Sequence, residues 1–340
     1  MLKREGDGMK KGRVAGAVKK SRLTADDPVS LTFLQLLMSS PLLDRLALST
    51  CWCSHRHTDG YAMLAEMREL GFVRIELSHG IPVSLVPGIL RAVDEGVVDV
   101  ASVHNFCPLP GGVDRAAPNL YQPSARRGIE SRAWMRHSLQ TLEFARRVGA
   151  SHVVLHSGSV FFRFRSPAKA LERGAEEGGA HARALKRLSK KAGPALARVE
   201  GNFRSLLAET AASGIRLAVE NREGLLELPP DEGLAAFVKR FGADEVSYWH
   251  DTGHAEIKRR LGLFDPDALL ESFTDRLAGF HLHDVDSSGR DHQAIGAGTI
   301  DFRGLARHVR SHHLLVLELH PRVTVDEVLA SRDRLLETLL

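Results

Sequence analysis

The stretch HDTGHA, residues 250–255, sets His250, Asp251 and His254 at the close of the β-branched and aromatic run VSYW. Other apolar segments close in the same way. Glu76 and His79 follow FVRI, His104 follows DVASV, His156 follows HVVL, and Glu220 and Asn221 follow IRLAV. His281, His283 and Asp284 end LAGFHLHD, and Glu318 and His320 end LLVLELH. One polar residue at a strand end usually forms a turn or caps a helix. Ionisable groups at successive ends call for another reason. Carboxylates that converge repel one another, and unless a cation offsets them their pKa values rise. Mixed Asp, Glu and His ligation suits Mn²⁺, Mg²⁺, Co²⁺, Fe²⁺ or Zn²⁺, and ligand type alone does not choose among these.

The elements that must position these groups are rhythmic. Apolar segments rich in Val, Ile and Leu start at residues 45, 72, 99, 152, 215, 246, 277 and 314, with helical stretches between them. Parallel neighbours need a crossover of about a dozen residues or more, so this alternation predicts βα units. A repeat of about 30 residues with two insertions predicts a closed (β/α)₈ barrel, in which polar groups at the C-terminal strand ends meet at one mouth. Side-chain alternation puts His281 and His283 on one face and Asp251 opposite His250, so His250 is expected outside the barrel or in the helix layer. The insertions fall after strands 3 and 4. The first, CPLPGGVDRAAPNLYQPS from Cys107, is a Pro- and Gly-rich loop expected over the mouth, and the second is helical after Gly179.

Composition narrows the class. The 340 residues carry a net charge of +4, yet residues 1–22 hold eight Lys and Arg against Glu5 and Asp7, a net of +6 that leaves the remainder at −2. Residues 1–28 are therefore expected to be a basic disordered tail, and residues 29–340 a single barrel domain. Three cysteines, Cys51, Cys53 and Cys107, do not suggest a disulfide framework. No apolar run reaches the roughly 18 residues of a membrane span. Pro28–Leu43 resembles a signal peptide, but Asp26 and Asp27 stand at its mouth and no small-residue cleavage site follows. A cytoplasmic protein with no membrane partner is predicted.

In order, LAVEN, HDTGHA, FHLHD, DHQAIGAGTIDF and LELHP resemble the xylose isomerase-like TIM barrel superfamily of sugar and sugar-phosphate isomerases and epimerases, which also includes endonuclease IV. The resemblance runs from about Arg45 to Leu340. It implies one divalent metal ion held by Glu220, Asp251, His281 and Glu318. It also implies substrate or second-metal contacts for His104, His156, His254 and His292. Glu76, from its strand end, and Arg290, as a candidate for a substrate phosphate or hydroxyl, join that second group. The chemistry expected is an aldose–ketose shift or an epimerisation. Glu220 and Glu318 would remove and return a proton on opposite sides of one carbon, with a metal-stabilised enediolate between. The endonuclease has an Asp two residues before the histidine matched by His292; Arg290 stands there, with Asp291 one residue late, so a trinuclear site would lack a ligand unless the loop shifts. The net acidic barrel also disfavours nucleic acid, because phosphate contacts call for a basic surface. A carbohydrate is the partner expected, with homo-oligomerisation open. The two alternatives are an endonuclease IV-like multi-metal phosphodiesterase and a non-catalytic binding barrel.

Overall fold

The computed structural model describes residues 45–174, 178–210, 213–273 and 275–339. The expected tail, the signal-like segment and the boundary at residue 28 lie outside these. Eight parallel strands close in sequence order: β1 Leu46–Ser49, β2 Arg74–Leu77, β3 Asp99–His104, β4 His152–Leu155, β5 Arg216–Glu220, β6 Val246–Asp251, β7 Leu277–Leu282 and β8 Leu314–Leu317, which pairs back to β1. The fold is a TIM barrel. All eight apolar segments became strands, most of them shorter than the segments themselves. The first stops at Ser49, whose side chain accepts from Cys51 N and turns Thr50–Trp52 into a 3₁₀ helix instead of further strand. The second starts at Arg74, two residues past Phe72.

Helices fill the outer layer in chain order: α1 Gly60–Glu69, α2 Val86–Asp94, α3 Gly128–Arg147, α4 Ala168–Glu172, α5 Gly179–Thr210, α6 Asp231–Val238, α7 Thr252–Arg260, α8 Pro266–Glu271, α9 Phe302–Leu305 and α10 Val325–Leu339. α4 and α5 form the helical insertion after β4. The Pro-rich stretch between β3 and α3 reaches the mouth, where Asn119 Oδ1 lies 3.0 Å from His156 Nδ1. Among the described residues no helix is long and apolar enough to cross a membrane.

The lower barrel is packed, not open. Ala47, Ala101, Val154, Ala218 and Val316 surround the fully buried Trp249, and these small residues leave the volume that the indole fills. Gly279 is obligatory beside it, since a β-carbon there would lie 2.7 Å from the indole ring. A register shift between Tyr248 and Trp249 on the β6–β7 ladder, and another between Ile75 and Glu76 on β2–β3, re-aim the strands just below the mouth. His250 points outward as alternation requires. It lies buried between the Tyr248 hydroxyl, 2.7 Å from its Nδ1, and the Phe280 ring.

Candidate metal centre and active site

Four side chains from four adjacent strand ends meet above Trp249. His281 Nδ1 lies 3.0 Å from Glu220 Oε1, 3.2 Å from Glu318 Oε2 and 3.8 Å from Asp251 Oδ2. All four are buried, and one ligand atom from each falls within 4.8 Å of the others. Three carboxylates this close need a positive charge among them. In the ion-free chain His281 supplies it: burial works against its charge, but Glu318 and Glu76 overcome that and raise its pKa well above the ordinary value. Burial likewise raises Glu220 and Glu318, and neighbouring cations overcome it: Arg222 and the histidines for Glu220, His281 and His292 for Glu318. Both carboxyls are held well below the usual range. Three carboxylates and one imidazole nitrogen, converging and buried, are a donor set that suits a hard or borderline divalent ion.

Each donor is aimed by neighbours. Glu76 Oε2 lies 3.1 Å from His281 Nε2, and Glu76 also accepts from Ser49 Oγ at 3.0 Å and Ser102 Oγ at 2.8 Å. That pairing leaves His281 Nδ1 for the cluster. Asp251 caps α7 by accepting from His254 N at 2.7 Å, and the helix N-terminus favours its negative charge. Its other oxygen lies 3.0 Å from His283 Nε2, while His283 Nδ1 accepts from His292 N at 2.8 Å. The glycine of DTGH is thereby explained, because a β-carbon on Gly253 would overlap the His283 ring. Asn221 ties β5 to β6, donating to Asp251 O at 2.9 Å and accepting from Asp251 N at 2.7 Å. The carboxylate of Asp284 accepts from Gly296 N at 3.0 Å and Gly298 N at 2.9 Å, which folds the QAIGAGTIDF loop against the mouth.

Further groups ring the centre. On one side His156 Nε2 lies 2.9 Å and His104 Nε2 3.6 Å from Glu220 Oε2, with the His79 ring centred 4.7 Å from that of His104. Across the mouth His254 Nε2 lies 4.0 Å from Asp291 Oδ2, and His292 Nε2 lies 3.6 Å from Glu318 Oε2. Burial lowers the His156 pKa to about 4 and that of His254 well below its ordinary value, so both are neutral at pH 7.

A family model described as xylose isomerase-like TIM barrel matches residues 64–335. The chain belongs to that family. Among curated proteins no sequence matches it. Among solved structures it is similar to a D-tagatose 3-epimerase-like protein at TM-score 0.63 and 16% identity, covering 87% of this chain and 97% of that one. It is also similar to 3-keto-D-glucoside 4-epimerase from E. coli, at 0.61 and 17% over 86% and 99% of the two chains. The D-psicose 3-epimerase of Clostridium cellulolyticum H10 matches at 0.61 and 11% over 87% and 99%. At these identities the likeness is one of fold.

Within this xylose isomerase-like barrel, the four expected ligands come together, and His104, His156, His254 and His292 stand around them. Two expected contacts do not. Glu76 is fully buried and engaged by His281, Ser49 and Ser102. Arg290, its side chain 68% exposed, pairs with Asp286 at 2.7 Å in its own turn and stays outside the site. The same turn, followed by His292 at φ 54°, carries Asp291 toward His254 despite its late place in the sequence. Sequence reasoning missed Arg222, which is buried with Nη1 3.1 Å from Glu220 Oε2 and Nε 3.1 Å from Glu227 Oε1. Its signal was the strand period, two residues past Glu220.

Glu76→Leu removes the acceptor of His281 Nε2 without touching the four atoms of the cluster. A fall in metal affinity of about 10–100-fold is expected, read by titrating the ion-free protein with Mn²⁺. Unchanged affinity would remove Glu76 from this role.

Proposed function

We propose that the chain is a divalent-metal-dependent isomerase or epimerase of sugars or sugar phosphates. One observation carries the reading: Glu220 from β5 and Glu318 just past β8 approach the same His281 nitrogen, at 3.0 and 3.2 Å, buried at the C-terminal strand ends. A bound divalent ion would supply Lewis-acid polarisation to adjacent carbonyl and hydroxyl oxygens. One carboxylate then takes the proton from the intervening carbon and the other returns it. Both are weak bases, given their lowered pKa values, so catalysis relies on holding them against the reacting carbon. The neutral His156 and His254 suit hydrogen bonds to hydroxyl groups. The sugar epimerase neighbours support the same substrate class.

A multi-metal phosphodiesterase is a second reading, favoured by the groups His104, His156, Glu220 and Glu223, His254, Asp291 on either side of the centre. Incubating Mn²⁺-loaded protein with a panel of ketoses and their phosphates in D₂O separates the two. Proton transfer places deuterium on the carbon beside the carbonyl, visible by NMR. No exchange with any of them, together with cleavage of abasic-site DNA, would overturn the proposal.

A further inference from the structure

The groups flanking the centre raise a question of number, and Arg222 answers it. Resting on the metal-centre reading above, we infer that Arg222 is a resident cation that keeps a second divalent ion off the His104–His156 side of the centre. Its Nη1 lies 3.1 Å from Glu220 Oε2, the same oxygen that His156 Nε2 approaches at 2.9 Å and His104 Nε2 at 3.6 Å. An ion shared by His104, His156 and that oxygen, with bonds of about 2.1 Å, would sit no more than about 5 Å from the guanidinium. Arg222 Nη1 also lies 3.1 Å from His254 Nδ1, a further contact that fixes the guanidinium. Unlike a lysine or histidine, a guanidinium does not shed its charge to make room. Glu220 and Glu227 hold it in place from two sides.

The central set differs from that flank. It offers three carboxylates, and it uses Glu220 Oε1, 3.0 Å from His281 Nδ1, leaving Oε2 to Arg222. One guanidinium thus divides the two oxygens of Glu220 between a metal position and an internal ion pair. His156 and His254, neutral at pH 7, remain beside the centre as hydrogen-bonding groups.

The test counts ions on the full chain, stripped with chelator and titrated with Zn²⁺, with bound zinc measured by atomic emission after gel filtration. Wild-type protein is expected to hold one zinc. Arg222→Met, which removes the charge and keeps most of the volume, is expected to hold two, the second bound on the order of a hundredfold or more tighter than in wild type. Adding His156→Gln to Arg222→Met is expected to return the count to one. Arg222→Gln, which can still donate toward Glu227, is the second variant should Arg222→Met fail to fold, and its expected count is also two. Two or more zincs on wild type, or a count of one on a folded charge-free variant, overturns the role of Arg222. No zinc on wild type overturns the metal-centre reading instead.

Discussion

Glu318→Gln is expected to lower turnover at least about a thousandfold while the barrel stays folded. A positioned proton-transfer group contributes roughly 10²–10⁴-fold, and this carboxylate is also one of the converging donors, so the amide removes both roles at once. The fold has little to lose. Glu318 lies one residue beyond β8, above the packed layer around Trp249. Without metal, the amide also removes one of three mutually repelling charges, although His281 gives up an attractive partner at 3.2 Å. The attraction prevails, since the carboxyl is held well below its usual range, so the ion-free variant should melt somewhat below wild type yet remain folded. Turnover is read by the D₂O exchange assay and folding by circular dichroism. Activity within tenfold of wild type would end the two-carboxylate mechanism.

Asp251→Asn should abolish most metal-induced stabilisation, whereas His250→Ala should leave it intact. Asparagine still caps a helix, so α7 keeps its start while the centre loses a charged donor. For wild type at 100 times its dissociation constant, bound metal adds about 2.7 kcal/mol of stability. A hundredfold weaker ligand set would give up nearly all of it. His250 faces the opposite way, packed on Tyr248 and Phe280, and its loss should cost a few kcal/mol, about 1–3, through cavity and hydrogen-bond terms. Melting curves with and without Mn²⁺ separate the cases. If His250→Ala strips the metal and Asp251→Asn retains it, β6 faces the other way round.

The barrel was legible because its strands are short apolar runs at a regular interval, and the interval survives two insertions. The candidate ligands were legible for a related reason: a strand end is a fixed place in this architecture, so position alone assigns a direction. What escaped was anything decided by a register shift or a turn. Glu76 sits at the ladder irregularity beside Ile75, where His281, Ser49 and Ser102 engage it. Arg290 and Asp291 exchanged expectations because the Asp286 turn and the left-handed His292 redirect the loop by one residue. Arg222 reads as an ordinary loop arginine until Glu220 and Glu227 are seen on either side of it.

Trp249 carries a further consequence. Its indole, buried under the centre among alanines and valines, closes the barrel from below, so under the proposed epimerase activity reactant and product would share one doorway. Two epimers differ at a single carbon and occupy nearly the same volume, and the pocket that admits one readmits the other. For the proposed activity, product inhibition at concentrations comparable to those of the reactant would follow. The direction of net conversion would then be set by whichever neighbouring reaction withdraws a sugar, not by the barrel itself.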